Sequence, residues 1–147
     1  ARMDAAPQRS AVRTVTPEQQ DAFLRETRIA KLATLNADGS PTMVPVWFDW
    51  DGSTAIVFTS RSSPKVRRIN ADPRVALAVE QPLGVTEAWV TIEGTAAVEE
   101  TGGMELARRL AQRYYSAERA AAALADWEKM ADQWVVIRIT PKRIRSG

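Results

Sequence analysis

Two turn signals, Asn36-Ala37-Asp38-Gly39 and Asp51-Gly52, separate segments crowded with Val, Ile, Thr and aromatic residues. Asp-Gly between such runs is a strong hairpin dipeptide, and hairpins join antiparallel strands. The flanking runs span residues 29–35, 42–50 and 54–59, and three more follow at 75–79, 88–98 and 134–139. Six strands joined largely by tight turns predict one antiparallel sheet. At 147 residues such a sheet is expected to curl into a barrel, because curling removes long open edges. The expected fold class is mainly β, a β-barrel with peripheral helices.

Helix signals punctuate the strands. Thr16-Pro17-Glu18-Gln19 reads as an N-cap, a first-turn proline and a capping-box partner, opening a short helix to about Thr27 with Phe23 and Leu24 as its apolar contacts. Ser62-Ser63-Pro64-Lys65 repeats the pattern and predicts a helix over 64–72 between the third and fourth strands. Residues 103–132, rich in Ala, Arg and Glu, predict one long helix or two broken ones. Residues 1–15 read as a flexible N-terminal tail without the apolar core of a secretory signal, and 16–147 as a single domain.

The chain has no Cys and no His. Those absences exclude a thiol nucleophile, a Ser-His-Asp triad and a thiolate or imidazole zinc site. Acid–base chemistry is left to carboxylates, Tyr, Lys or a bound cofactor, so neither a metal nor a specific catalytic residue is expected. The net charge is only +2, and the pI of about 9.3 reflects the lack of groups titrating near neutrality. Nucleic acid is therefore not an expected partner. No run of about 18 apolar residues exists to span a membrane, and the lack of Cys is compatible with the expected cytoplasmic location.

Two stretches carry candidate chemistry. Residues 59–74 hold Arg61, Lys65, Arg67, Arg68 and Arg74 against one acid, Asp72, with hydroxyls at Thr59, Ser60 and Ser62. Hydroxyls at a strand end, a helix start with free N–H groups and a lysine in its first turn make a phosphate receptor; the alternative is a solvated basic helix. In Met43-Val44-Pro45-Val46-Trp47-Phe48 a proline interrupts a strand, which marks an edge, a bulge or backbone groups offered to a ligand. The alternative there is a simple bulge with Trp47 and Phe48 in the core. The tryptophans at 47, 50, 89, 127 and 134 read first as core, with a flat pocket or dimer seam as the other use. Tyr114 and Tyr115 read as packing on a solvated helix.

The order of these features resembles the pyridoxamine 5′-phosphate oxidase-like superfamily. The features are Ser40-Pro41 then Pro45-Val46-Trp47-Phe48, Thr59-Ser60, and Ser63-Pro64-Lys65, followed by Arg67, Ile69 and Asp72-Pro73-Arg74-Val75. Within it they are most similar to the deazaflavin-dependent (coenzyme F(420)) oxidoreductases of actinobacteria. The resemblance covers roughly residues 28–98 and 134–145. It implies a six-stranded antiparallel split β-barrel, FMN-binding-like, that forms a homodimer with a flavin or deazaflavin in a groove between subunits. It places the cofactor phosphate near Thr59, Ser60, Ser63, Lys65, Arg67 and Arg68, and the ring against Val44, Pro45, Val46 and Trp47.

The implied activity is hydride transfer to a small oxidised organic molecule, with coenzyme F(420) preferred and FMN as the alternative. A non-catalytic FMN- or haem-binding carrier of the same fold is the rival reading. True pyridoxamine phosphate oxidases use a C-terminal His and Arg; this chain has no His, so that oxidation is not expected.

Overall fold

The computed structural model describes residues 15–147, so the tail expected over 1–15 lies outside the described residues except for Val15. Helix α1 (Pro17–Arg25) opens on the expected capping box: the Thr16 hydroxyl accepts from the Gln19 N–H at 3.1 Å, and the Gln19 side chain accepts from the Thr16 N–H at 3.0 Å. Each bond satisfies an N–H that the helix itself leaves unpaired.

Seven strands follow instead of the six expected. β1 (Ala30–Leu35) is followed by β2 (Pro41–Val46) and β3 (Asp49–Trp50), which divide the expected second strand at Trp47 and Phe48. The division has a topological cause. β2 pairs with β1, whereas β3 pairs with β4 (Ala55–Ser60), so the chain crosses from one end of the sheet to the other within two residues. Helix α2 (Pro64–Ala71), β5 (Arg74–Glu80) and β6 (Trp89–Glu99) come next. Helices α3 (Gly103–Tyr114) and α4 (Ala117–Trp127) and a short 3-10 segment (Glu128–Gln133) then lead into β7 (Trp134–Ser146). Of the two expectations for 103–132 the broken pair holds: the Ser116 side chain accepts from the Arg119 N–H at 3.2 Å and caps a new helix.

The strands form one antiparallel sheet in the order β2-β1-β5-β6-β7-β4-β3. Its hydrogen-bonded order begins at β2 and ends at β3, so the sheet is a curled half-barrel and not a closed six-stranded barrel. β7 runs past the expected 134–139 because a bulge at Glu93/Gly94 lets it continue along β6 as far as Ser146. Gly94 is obligatory there, since a Cβ would lie 2.0 Å from the Thr140 carbonyl oxygen.

Inside the curl, Leu32, Phe48, Val57, Leu77, Ile92, Ile137 and Ile139 form the main core. On the other face of β4 and β7, Ile56 and Val136 pack with Leu106 and Leu110 of α3. β4 is apolar on both faces for that reason: one faces the curl and the other is roofed by a helix. No helix among the described residues is long and apolar enough to cross a membrane.

Candidate functional site

Because β2 ends the sheet, one of its edges is unpaired. Its ladder to β1 is unbroken from Pro41 to Val46. Proline has no N–H to give a ladder, so Pro41 and Pro45 must occupy positions whose backbone points away from β1. The free edge then carries the carbonyls of Pro41, Met43 and Pro45 but only one donor, the Met43 N–H. The expectation of an edge strand holds, with no bulge in β2.

Beside this edge lies an open cleft of about 480 Å³ lined by Ile29, Pro45, Val46, Trp47, Phe58, Lys65, Tyr115 and Trp127. Its aromatic wall is continuous. Trp47 stacks on Tyr114, with centroids 4.9 Å apart and planes 7° apart, and meets Tyr115 edge-on at 4.7 Å. Phe58 lies 5.5 Å from Trp127 and 5.8 Å from Trp134. The Trp134 indole N–H donates to the Trp127 carbonyl at 3.0 Å, tying the end of α4 to the start of β7. A wall of rings at such spacings suits a flat ligand.

The cation in the cleft is Lys65. It stands in the first turn of α2, where the Ser63 side chain caps the helix by accepting from the Lys65 N–H at 3.1 Å. Its side chain is half-buried and makes no ion pair among the described residues; burial, and then the positive charge of Arg68, push its pKa below the usual lysine value. An uncompensated ammonium in a partly desolvated position favours an anion beside it.

The other basic residues sort by partner. Arg61 pairs with Glu100 and donates to the Asp132 carbonyl at 2.8 Å, and Arg74 pairs with Asp72 at 2.8 Å. Arg67 and Arg68 have no acidic partner among the described residues. Arg68 Nε instead donates to the hydroxyl of Thr34 at 2.8 Å. On a helix, residues three apart share a face and residues two apart do not. Arg68 therefore lies on the side of Lys65, and Arg67, which is exposed, points elsewhere.

Of the sequence-derived candidates, the cleft gathers Pro45, Val46, Trp47 and Lys65. Val44 pairs with Leu32 further along β2, Ser60 hydrogen-bonds Ser62 at 3.1 Å, and Ser63 serves as the α2 cap. Thr59 is buried, one residue out of step with Phe58 and so on the curl side of β4. Sequence reasoning missed Ile29, Phe58 and Tyr115, while Trp127 takes the second of its two expected uses, lining a pocket. The signal for Phe58 was present in Ala55-Ile56-Val57-Phe58, apolar at every position, since a doubly apolar strand needs a second cover. That cover is the helical hairpin, whose C-terminal ends bring Tyr115 and Trp127 to the cleft.

Comparison with known proteins agrees with the fold. A family model described as pyridoxamine 5′-phosphate oxidase matches residues 16–146. The F(420)H(2)-dependent biliverdin reductase of Mycobacterium tuberculosis is 37% identical over 107 residues, 70% of this chain and 77% of that protein. Among solved structures, a conserved hypothetical protein from Mycobacterium tuberculosis superposes with a TM-score of 0.71 at 25% identity, covering 99% of this chain and 89% of the other. An F(420) reductase superposes with a TM-score of 0.68 at 23% identity, covering 85% and 94%, a likeness of fold.

Proposed function

The chain belongs to the pyridoxamine 5′-phosphate oxidase family, and on that premise we propose that it is an oxidoreductase that binds coenzyme F(420), with FMN as the competing cofactor, and reduces a small oxidised organic molecule. The observation that carries the reading is the cleft, which sets the half-buried, unpaired Lys65 beside Pro45, Val46 and Trp47. The donor set fits such a cofactor. Lys65, with Arg68 on the same side of α2, would hold its phosphate, and the carbonyls on the free edge of β2 would accept from N–H groups at the rim of its ring.

When bound and reduced, a cofactor of this class supplies a hydride. The residues of this chain do the rest: Trp47, Phe58 and Trp127 give an apolar wall that excludes water, and Pro45 and Val46 support one side of the cleft. The name of the mycobacterial relative makes biliverdin the first substrate to try.

Two measurements test the reading. A fluorescence titration of the purified protein with coenzyme F(420) and with FMN should give micromolar binding of one, the deazaflavin more tightly. Reduced F(420) with biliverdin should then turn over at a rate that depends on the protein. Binding of neither cofactor sinks the proposal, and binding without turnover on biliverdin or other conjugated acceptors leaves a carrier in place of an enzyme.

A further inference from the structure

The Tyr114 hydroxyl sits where the sheet fails to close. It donates to the Arg28 carbonyl at 2.5 Å and accepts from the Phe48 N–H at 3.3 Å. Both partners lie outside the strands: Arg28 just precedes β1, and Phe48 is in the crossing between β2 and β3. Their neighbours, Ile29 and Trp47, line the cleft. The ring of the same tyrosine stacks on the indole of Trp47. One side chain thus grips both backbone segments beside the cleft and sets the tilt of its largest ring.

We propose that Tyr114 is a positioning residue, a clamp that holds Ile29 and Trp47 at the separation and tilt a flat cofactor ring requires. The ring-binding half of this inference rests on the function proposed above; the clamp itself rests on the geometry alone. Packing does not account for the hydroxyl. Leu106 and Leu110, on the same face of α3, are already almost fully buried and supply the helix's apolar anchor. Phenylalanine would fill the same space and keep the stack, but it would strand the Phe48 N–H and lose the tie to Arg28. Burial raises the phenol's pKa, which keeps the donated proton in place through the neutral range.

The test uses the full chain, wild type and Tyr114→Phe, with two readouts. Amide exchange is measured first. In the wild type the Phe48 amide should be protected relative to the amide of Leu83 in the exposed loop. In Tyr114→Phe, exchange at Phe48 and in residues 28–30 should rise about tenfold or more while β6 and β7 stay unchanged. An unprotected Phe48 amide in the wild type, or a variant that accelerates equally everywhere or fails to fold, overturns the clamp.

The second readout is affinity for FMN and for riboflavin, which has the ring and lacks the phosphate. Both should weaken by about the same factor, roughly tenfold, in Tyr114→Phe. Unchanged affinity for both, or loss for FMN alone, overturns the ring-positioning role. If the wild type binds only coenzyme F(420), affinity for that coenzyme should weaken by the same factor in the variant; if it binds none of the three, the proposed function fails, and amide exchange still decides the clamp.

Discussion

Lys65 is the residue on which the anion reading turns, because its half-buried ammonium has neither a carboxylate beside it among the described residues nor full access to water. A charge-assisted contact to phosphate contributes about 1.5–3 kcal/mol. Lys65→Ala should therefore weaken FMN or F(420) binding tenfold to a hundredfold while leaving the melting temperature little changed; equal affinities would remove Lys65 from the site. The lowered pKa adds a pH signature. Burial disfavours the charged form, so the unfolded chain binds more protons between the folded value and the ordinary 10.5, and the free protein gains stability as pH rises through that window. Affinity for phosphate moves the other way, falling through the same window because the ammonium is lost. Isothermal titrations across alkaline pH should show a steeper fall for FMN than for riboflavin, which shares the ring and its N–H but has no phosphate for Lys65.

The neighbouring arginines separate cofactors at the same scale. FMN ends in one phosphate, whereas the deazaflavin coenzyme continues into a tail of carboxylates. Arg68 shares the side of α2 with Lys65, while Arg67 points away, is exposed and has no acidic partner among the described residues. Arg67→Ala should weaken F(420) more than FMN, with the difference shrinking as salt screens exposed charges over about 8–10 Å. Arg68→Ala should weaken both. Equal losses for Arg67→Ala would put that residue at the shared phosphate.

Among the elements, α3 is fixed to the sheet by a charged contact as well as by its leucines. Asp49 of β3 accepts from Arg113 at 2.9 Å and from Arg109 at 3.0 Å. Burial alone would raise the Asp49 pKa, but the two guanidiniums outweigh it and hold the carboxyl below its ordinary 3.8. The sign follows: the contact stabilises the fold above the unfolded value and is lost as pH falls through the lower, folded one. Asp49→Asn should cost about 1 kcal/mol at neutral pH, a few degrees of melting temperature, and its stability should fall less steeply than the wild type's in acid. A variant that melts like the wild type at pH 7 would show that the leucines alone hold α3.

Elements of this kind were legible in the sequence where local chemistry decides them. The cap at Thr16, the cap at Ser63 and the turns at Gly39 and Gly52 all stand where the residues put them. What the sequence hid was decided by distant partners. The break at Trp47 and Phe48 depends on which strands pair at opposite ends of the sheet. The run of β7 through Thr140-Pro141 depends on a bulge facing Gly94. Tyr115 looked like ordinary helix packing, and Trp127 could be read as core or as pocket, because helical periodicity is blind to what a helix end is laid against.

At the scale of the whole molecule, the outer face of the sheet at β1, β2 and β5 lies away from α3, which roofs the same face at β4 and β7. By strand alternation Lys31, Ala33 and Leu35 of β1 and Ala76 and Ala78 of β5 point away from the core, and the register sets Met43 beside Ala33 and Pro45 beside Lys31. Met43 is 64% and Ile29 43% exposed, a concentration of apolar surface that favours burial against another protein. We propose that this face joins two copies of the chain, and the prolines dictate how. Pro41 and Pro45 remove two of the three outward donors from the β2 edge, so a partner cannot extend the sheet by adding a strand there. The copies should meet face to face, beside a cleft whose open side, at Ile29 and Pro45, borders the same surface. Sedimentation at micromolar concentration should show a dimer of the 16.2 kDa chain. Met43→Glu should shift it to monomer, weakening association about tenfold or more by placing a charge in the contact, and should weaken cofactor binding in parallel if the second copy completes the cleft. A wild type that sediments as a monomer rejects the assembly. A Met43→Glu dimer as tight as the wild type would place the contact on another face.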